Sequence, residues 1–224
     1  MATVDTRIVG QTRSTKVFYA VIRSFVVFLC RTLLRLKVVG SENIPKTGAF
    51  IFAPTHRSTI DIPIASAATR RRMRFMGKDS IWKFAVLGKA MSALGAFPVT
   101  RGSADLEALK RCIAVLNSGE PLVMFPEGTR HVGPEVMPLF DGAAYVAFKV
   151  GVSIVPAGIA GTEDVMRTGS KKIRFTRCAM VIGEPISVII PESGRASRDQ
   201  VSELTLLLQA RLQSVLDEAN RLIN

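Results

Sequence analysis

Residues 48–61 read GAFIFAPTHRSTID, and the predicted fold is built around this stretch. Residues 48–54 are a short apolar run bounded by glycine and proline, which is typical of a buried strand. His56 follows within two residues, and Asp61 stands at the expected start of a helix. Ligands of open α/β sheets bind beyond the carboxyl ends of the strands. We therefore expect a functional site at residues 55–61.

The rest of the chain alternates between short β-branched or aromatic runs and longer helical segments. Further strands are predicted at residues 73–76, 97–99, 122–125, 153–157 and 173–182. Helices are predicted at residues 60–69, 79–94, 104–117 and 142–150, and after the capping box formed by Ser197 and Gln200. This alternation predicts an α/β fold with a largely parallel central sheet covered by helices.

Three cysteines stand far apart, at positions 30, 112 and 178. Their odd number and their spacing indicate neither a disulfide framework nor a zinc site. We therefore predict reduced, buried thiols in a protein of a cytosolic compartment.

The formal net charge of +12 is concentrated in two segments. Residues 1–40 and residues 70–89 each contain seven Lys or Arg and one Asp. The rest of the chain has 16 basic and 16 acidic residues and is neutral. A charge confined to two segments is typical of a docking face rather than of a uniformly basic protein. We therefore expect membrane lipid, and no nucleic acid, as the partner of these segments.

Residues 1–37 are predicted to be an amphipathic helical appendage that associates with a membrane. Arg31 and Arg35 lie about 80° and about 120° round a helix from Arg23, so the charges share one side and apolar residues cover the rest. No stretch of the sequence reaches the ~18 uncharged residues that a spanning helix needs. The pattern favours an interfacial helix whose apolar side lies at the acyl boundary.

A second basic segment, residues 70–95, lies within the predicted main domain, residues 38–224. It interleaves cations with aromatic residues, and Trp82 beside Lys83 is a pairing common at headgroup level. An ordinary amphipathic helix packed on the core is the alternative for either basic segment. Because the two segments carry the whole net charge, we favour peripheral or monotopic docking at the cytoplasmic face of the cell membrane.

His56 and Asp61 are candidates for a general base and its partner. Histidine can take a proton from a hydroxyl at physiological pH. Asp61 would accept a hydrogen bond from the other ring nitrogen, fix the tautomer and stabilise the imidazolium. The alternative is structural, with His56 as a polar residue at the helix entry and Asp61 as a first-turn acid that favours the helix dipole.

An arginine also follows each of two further predicted strands. Residues 122–130 read LVMFPEGTR, and Arg101 follows the strand predicted at residues 97–99. Glycine in such a turn lets main-chain N–H groups approach a ligand, and the planar fork of arginine suits phosphate. We expect the arginines to converge with His56 on an anionic substrate. Turns or surface ion pairs are the structural alternative for each arginine.

These motifs together resemble the glycerolipid acyltransferases of the PlsC type, the 1-acylglycerol-3-phosphate acyltransferases. The resemblance covers roughly residues 38–190, and FPEGTR is its most specific motif. His56 and Asp61 match the family's HxxxxD motif. Arg101 matches the second family motif, and Val155 with Pro156 matches the fourth. The third motif is matched by Glu127, Gly128, Thr129 and Arg130.

The resemblance implies transfer of a fatty acyl group from acyl-CoA or acyl carrier protein to the free sn-2 hydroxyl of 1-acylglycerol 3-phosphate, which gives phosphatidic acid. It implies that His56 and Asp61 are catalytic and that Arg101 and Arg130 bind the acceptor's phosphate. Glu127 would order the glycerol and Arg130, a main-chain N–H near Gly128 would stabilise the oxyanion, and Thr129 would line the substrate site. No metal or prosthetic group is implied, because the thioester is a co-substrate.

Other interpretations remain open from the sequence. The same chemistry would serve glycerol 3-phosphate, a lysophospholipid or a glycolipid as acceptor. A non-enzymatic basic protein that binds lipid or nucleic acid would explain the charge but not the histidine and arginines at strand ends. A serine hydrolase is disfavoured because the sequence has no G-x-S-x-G motif.

Two positions depart from the usual family pattern. The family often has Asn before the catalytic histidine and Ser after the arginine of the third motif, where this chain has Thr55 and His131. We interpret His131 as a surface or rim residue. Neither departure touches the residues assigned to chemistry, but both bear on acceptor preference.

Overall fold

The computed structural model describes residues 12–99, 106–166 and 172–224, and in these ranges seven strands form one sheet. The strands are β1 (Lys37–Val39), β2 (Ile51–Pro54), β3 (Arg74–Lys78), β4 (Ala96–Val99), β5 (Leu122–Val123), β6 (Ile154–Ala160) and β7 (Ala179–Ile182). The helices are α1 (Arg13–Leu33), α2 (Asp61–Ala65), α3 (Ala85–Ala93), α4 (Leu106–Asn117), α5 (Gly142–Val150), α6 (Thr162–Val165) and α7 (Arg198–Ile223). A short 3₁₀ helix, Asp79–Lys83, precedes α3.

The sheet has the order β1-β7-β6-β2-β5-β3-β4. The five strands β6, β2, β5, β3 and β4 are parallel, whereas β7 runs antiparallel to β6 and pairs in parallel with β1. The predicted α/β fold with a largely parallel sheet is confirmed. Because β2 lies between β6 and β5, the carboxyl ends of these three strands meet at one edge of the sheet.

Element boundaries differ from the prediction at several places. The three-residue edge strand β1 was not expected, because so short a run carries no periodic signal of its own. The predicted strand over residues 173–182 pairs only from Ala179 onward. The predicted helix over residues 60–69 is the five-residue α2, and the one over 79–94 is divided at Phe84, whose backbone is extended.

Each face of the sheet has its own helical cover. Helices α4, α5 and α7 pack against one face, toward which Ile51 and Ala53 of β2 point. α1 and α2 cover the other face, where Phe50 and Phe52 point. Alternate residues of β2 are therefore buried on opposite sides, which explains why this strand reads as a continuous apolar run.

Among the described residues, no helix combines the length and the apolar content that crossing a bilayer requires. α1 begins at a cap formed by Thr12, whose hydroxyl accepts a hydrogen bond from the Thr15 amide. Several large apolar side chains of α1 remain exposed, namely Val17, Phe18, Val21, Phe25, Phe28 and Leu33.

The three cysteines are buried, and no disulfide joins them. Burial raises the pKa of the Cys30 thiol and, most strongly, raises the pKa of Cys178 to about 12. A thiol with so high a pKa is a weak nucleophile. The predicted reduced, buried state of the cysteines is what the structure shows.

α7 packs directly on β6 at Gly158. A Cβ atom at this position would lie 2.4 Å from the main-chain carbonyl carbon and oxygen of Val215 and from the amide of Leu216. Only a residue without a side chain lets the helix backbone approach the strand this closely.

We expect Gly158→Ala to lower the free energy of unfolding by about 2 kcal/mol, because the added methyl group meets rigid helix backbone. Chemical denaturation would measure this change. The control is Gly142→Ala, where the nearest atom to a new Cβ is 3.7 Å away and stability should hold or rise slightly. Equal stability of Gly158→Ala and the parent would contradict the close contact.

Candidate active site

His56, in the loop after β2, is hydrogen-bonded to Asp61, the first residue of α2. His56 Nδ1 lies 2.9 Å from Asp61 Oδ2. Asp61 is fully buried and His56 is 7% exposed. Since an ionised carboxylate can only accept hydrogen bonds, Nδ1 carries the proton and the lone pair resides on Nε2. The arrangement suits a general base.

Three further groups hold the Asp61 carboxylate in place. Oδ2 also accepts from the amides of Arg57 at 2.6 Å and Ser58 at 2.7 Å. Oδ1 accepts from the Thr162 hydroxyl at 2.6 Å. With four donors the carboxylate stays in one position, and the imidazole that it holds is oriented in turn.

Thr162 was not singled out from the sequence. It is the first residue of α6 and follows β6, so a third strand end reaches the same site. Gly161 precedes it with φ 83°, and a Cβ there would lie 2.3 Å from the Arg177 carbonyl oxygen. The turn therefore needs glycine. Because the predicted strand ended at residue 157 whereas β6 runs to Ala160, no sequence pattern placed Thr162 at a strand end.

Glu127 lies buried beneath the loop that carries His56. Its Oε1 accepts from the His56 amide at 2.8 Å. Its Oε2 accepts from Arg57 Nη1 and from the Met137 amide, each at 3.3 Å. Both oxygens are thus engaged by the protein, and Glu127 links the loop that carries His56 to Arg57 and Met137. Its expected role in ordering the glycerol and Arg130 stays a prediction.

Arg57 is the second residue that sequence reasoning missed. It is 1% exposed, and its Nη2 donates to the Glu135 carbonyl at 2.9 Å in addition to the ion pair with Glu127. Its partner is 70 residues away, so no local pattern could mark it. Two short loops, after β2 and after β5, are held together by this buried ion pair.

The turn after β5 presents the remaining residues of the third motif at the surface. Gly128, Thr129 and Arg130 are exposed, and Arg130 Nη1 donates to the Thr59 hydroxyl at 2.8 Å. The Gly128 amide donates to the Phe125 carbonyl at 3.0 Å, so this N–H is not the donor available to an oxyanion. Gly128 has φ 68°, and a Cβ there would collide with the Phe140 ring at 2.7 Å.

The imidazole of His56 has an aromatic neighbour and a main-chain link to the same turn. Its ring stacks on Phe125, with centroids 4.1 Å apart and planes at 26°. The His131 amide donates to the His56 carbonyl at 2.9 Å. The stacking limits rotation of the imidazole, and the hydrogen bond ties the turn after β5 to the loop that carries His56.

Arg101 lies outside the described residues. β4 ends two residues before it, at Val99. The structure therefore brings together His56, Asp61, Glu127 and Arg130, while the expected convergence of Arg101 stays a prediction. In the described ranges no group of three or more His, Cys, Asp or Glu side chains is arranged to hold a metal ion.

Glu163 adds a carboxyl group behind the site. Burial raises its pKa, and the nearby charges of Asp164 and Asp61 raise it further, while a hydrogen bond to its own main chain and the charge of Arg57 lower it. Its Oε2 has no hydrogen-bond partner in the described part of the chain.

We expect Glu127→Gln to lower the free energy of unfolding by about 3 kcal/mol, because the buried Arg57 charge loses its counter-ion. Thermal or urea denaturation would measure this loss. Glu135→Gln makes the same chemical change at an exposed carboxylate of the neighbouring loop and should change stability by less than about 0.5 kcal/mol. Similar small effects of both changes would contradict the role given to the ion pair.

Comparisons with known proteins show which family the chain resembles. A model of the acyltransferase family matches residues 35–160. The chloroplast 1-acyl-sn-glycerol-3-phosphate acyltransferase of Arabidopsis thaliana is 31% identical over 156 residues, which are 68% of this chain and 44% of the plant protein. The chain thus spans less than half the length of this chloroplast relative.

Bacterial relatives match over more of their length. The 1-acyl-sn-glycerol-3-phosphate acyltransferase of Bacillus subtilis is 26% identical over 188 residues, covering 84% of this chain and 91% of that protein. The crystal structure of PlsC, the 1-acyl-sn-glycerophosphate acyltransferase of Thermotoga maritima, superposes with a TM-score of 0.73 and 26% identity, covering 92% of this chain and 83% of that one. The family model shows that the chain belongs to the acyltransferase family, and the relatives and the solved structure that it resembles are named as 1-acylglycerol-3-phosphate acyltransferases.

Proposed function

We propose that the protein transfers a fatty acyl group from the thioester of acyl-CoA or acyl carrier protein to the free sn-2 hydroxyl of 1-acylglycerol 3-phosphate. The observation that carries this proposal is the pair of His56 and Asp61, with Nδ1 held at 2.9 Å and Nε2 left with its lone pair. The names of the relatives support the choice of acceptor. The products are phosphatidic acid and the free thiol of the carrier.

His56 acts as base and then as acid. Nε2 takes the proton of the acceptor hydroxyl as its oxygen attacks the thioester carbonyl carbon. The tetrahedral intermediate collapses with cleavage of the carbon–sulfur bond, and the imidazolium returns the proton to the departing thiolate. Asp61 stabilises the imidazolium between these two transfers, because its negative charge lies 2.9 Å from Nδ1.

The attack is direct, without an acyl-enzyme. Ser58, two residues from His56, is the serine nearest to it in the chain, and its Oγ donates to the Met166 carbonyl at 3.0 Å. A hydroxyl bound in this way is not activated by the imidazole.

Arg130 would bind the phosphate of the acceptor. It is exposed at the rim of the site, and its bond to Thr59 uses one terminal nitrogen and leaves the rest of the guanidinium for a ligand. Arg101 would join it, by analogy with the second family motif. Thr129 and Gly128 form the exposed turn beside Arg130 and would line the same site. Glu127 contributes indirectly, by holding the loop that carries His56.

The docking of this enzyme would be peripheral, at the cytoplasmic face of the cell membrane. α1 exposes the apolar side chains named above, and the segment around α3 exposes Phe84, Val86 and Leu87. Such side chains, flanked by Lys and Arg, favour the boundary between headgroups and acyl chains. A lipid acceptor would then enter the site from the leaflet.

Transfer to another acceptor is the second candidate, because the base and the phosphate site would serve glycerol 3-phosphate or another lysolipid equally well. An acceptor panel with one acyl-CoA, with each product identified by mass, separates these cases. Acylation of glycerol 3-phosphate but not of 1-acylglycerol 3-phosphate would contradict the proposed substrate.

We expect His56→Ala to lower the turnover of 1-acylglycerol 3-phosphate at least about 100-fold, since a general base contributes on this order. Release of free CoA thiol measures the rate, and a thermal melt confirms folding. His131→Ala removes the only other imidazole and should keep near-parental turnover. Turnover by folded His56→Ala at the parental rate would contradict the mechanism.

We expect Thr162→Val to lower kcat about tenfold with little change in the acceptor KM, because Asp61 Oδ1 loses its hydroxyl donor without a change in side-chain volume. Thr162→Ser restores the donor and should recover most of kcat. Steady-state kinetics of the three proteins makes the comparison. Equal kcat for the Val and Ser variants would show that the hydroxyl does not position Asp61.

A further inference from the structure

Three arginines line a groove on one flank of α1, outside the candidate active site. Arg23 and Arg31 come from α1, and Arg70 comes from the loop after α2. The groove has a volume of about 460 Å³, and its lining includes Val27 and Phe28. In the described part of the chain no carboxylate lines it. Like charges are thus gathered around a concave surface.

Among the residues that the structure describes, the arginines of this groove have no carboxylate counter-ion. Arg23 Nε donates to the Ser66 carbonyl at 2.9 Å, and within the described residues none of the three forms an ion pair with a carboxylate. Burial lowers the pKa of Arg23, and the charges of Arg70 and Arg31 lower it further, against an opposing effect of Tyr19. An anion placed among these guanidinium groups would relieve their repulsion.

The neighbouring arginines are used differently. Arg71 donates to the carbonyls of Pro45 and Gly48, and Arg72 donates to the Ala93 carbonyl at 3.1 Å. Arg74 pairs with Glu120 at 2.6 Å. Of the run of basic residues that starts at position 70, Arg70 alone lines the groove. The packing therefore directs one arginine of this run, Arg70, to the groove, while Arg71, Arg72 and Arg74 bind groups elsewhere.

Apolar side chains beside the groove identify the kind of anion. Phe28 forms part of the lining and is 60% exposed, and Phe25 and Val21 continue the apolar stripe along the same helix with similar exposure. A free inorganic phosphate would have no contact with such a stripe. A phosphate that carries a glyceride and acyl chains would engage both the arginines and the apolar side chains.

We propose that the groove formed by Arg23, Arg31 and Arg70 binds the headgroup phosphate of an anionic phospholipid of the leaflet, as a site separate from the one that binds the acceptor. The proposal rests on the peripheral docking described under Proposed function and gives that docking a defined orientation. Arg23 contacts the carboxyl end of α2, and Asp61 begins the same helix. Those two residues, Asp61 and Ser66, are roughly 8 Å apart along the helix axis, so the bound lipid would set the height of the site above the leaflet.

The test compares two variants of equal net charge in the full-length chain. Arg31→Gln with Arg70→Gln removes two charges from the groove and keeps Arg23, which supports α2. Arg13→Gln with Lys16→Gln removes two exposed charges from the same helix outside the groove. Binding is measured by flotation with vesicles of phosphatidylcholine, with and without phosphatidylglycerol.

The groove variant should bind the phosphatidylglycerol vesicles at least about tenfold more weakly than the control variant, because it loses a defined site in addition to diffuse attraction. Equal losses in the two variants would overturn the proposal, since diffuse attraction would then suffice. Inorganic phosphate at matched ionic strength should not release the parent protein. Release by phosphate would assign the groove to a free anion and overturn the lipid as its occupant.

A second measurement separates this proposal from the proposed activity. Acyl transfer to a short-chain lysophosphatidic acid, kept below its critical micelle concentration, requires no membrane. The groove variant should match the parent in this assay, and a loss of activity would place the arginines in acceptor binding and overturn the separate site. If the parent itself transfers no acyl group, the proposed function fails, whereas the vesicle comparison still decides the lipid site.

Discussion

Asp61 is a fully buried carboxylate, and the geometry of the whole site depends on how its charge is stabilised. Four donors converge on it: the amides of Arg57 and Ser58, the Thr162 hydroxyl and His56 Nδ1. An unsatisfied buried carboxylate would be costly, so these bonds keep the loop after β2 in one conformation. The same constraint leaves the lone pair of His56 on Nε2, which is what the proposed general base requires.

The second buried ion pair extends this constraint to the neighbouring strand. Arg57 and Glu127 lie on loops that follow β2 and β5, and Glu127 also accepts from the His56 amide. Loops at the carboxyl ends of adjacent parallel strands need not contact each other. Here the buried ion pair between Arg57 and Glu127 joins them. The exposed turn with Arg130 is thereby held beside the imidazole. The ion pair that stabilises the two loops thus lies next to the residues proposed for the chemistry. Arg57, which follows His56 in the chain, is accordingly only 1% exposed.

Much of the fold and part of the site could be predicted from the sequence. The strand at residues 48–54 and the turn after β5 were recognisable because apolar runs bounded by Gly or Pro place polar residues at strand ends. The pairing of Arg57 with Glu127 and of Thr162 with Asp61 could not be predicted, since each joins residues far apart in the chain. Likewise, the sequence shows a run of arginines from position 70. Only the structure shows that Arg71 and Arg72 donate hydrogen bonds to main-chain carbonyls, whereas Arg70 lines the groove beside α1.

The central claim is that the buried Asp61 holds His56 in the tautomer with the proton on Nδ1. Nitrogen NMR of protein labelled at histidine tests it most directly, and with two histidines in the chain a His131→Gln sample assigns the signals. The account predicts a protonated Nδ1 and an unprotonated Nε2 for neutral His56, and loss of this preference in Asp61→Asn. A proton on Nε2 in the parent protein, or a tautomer unaffected by Asp61→Asn, would contradict it.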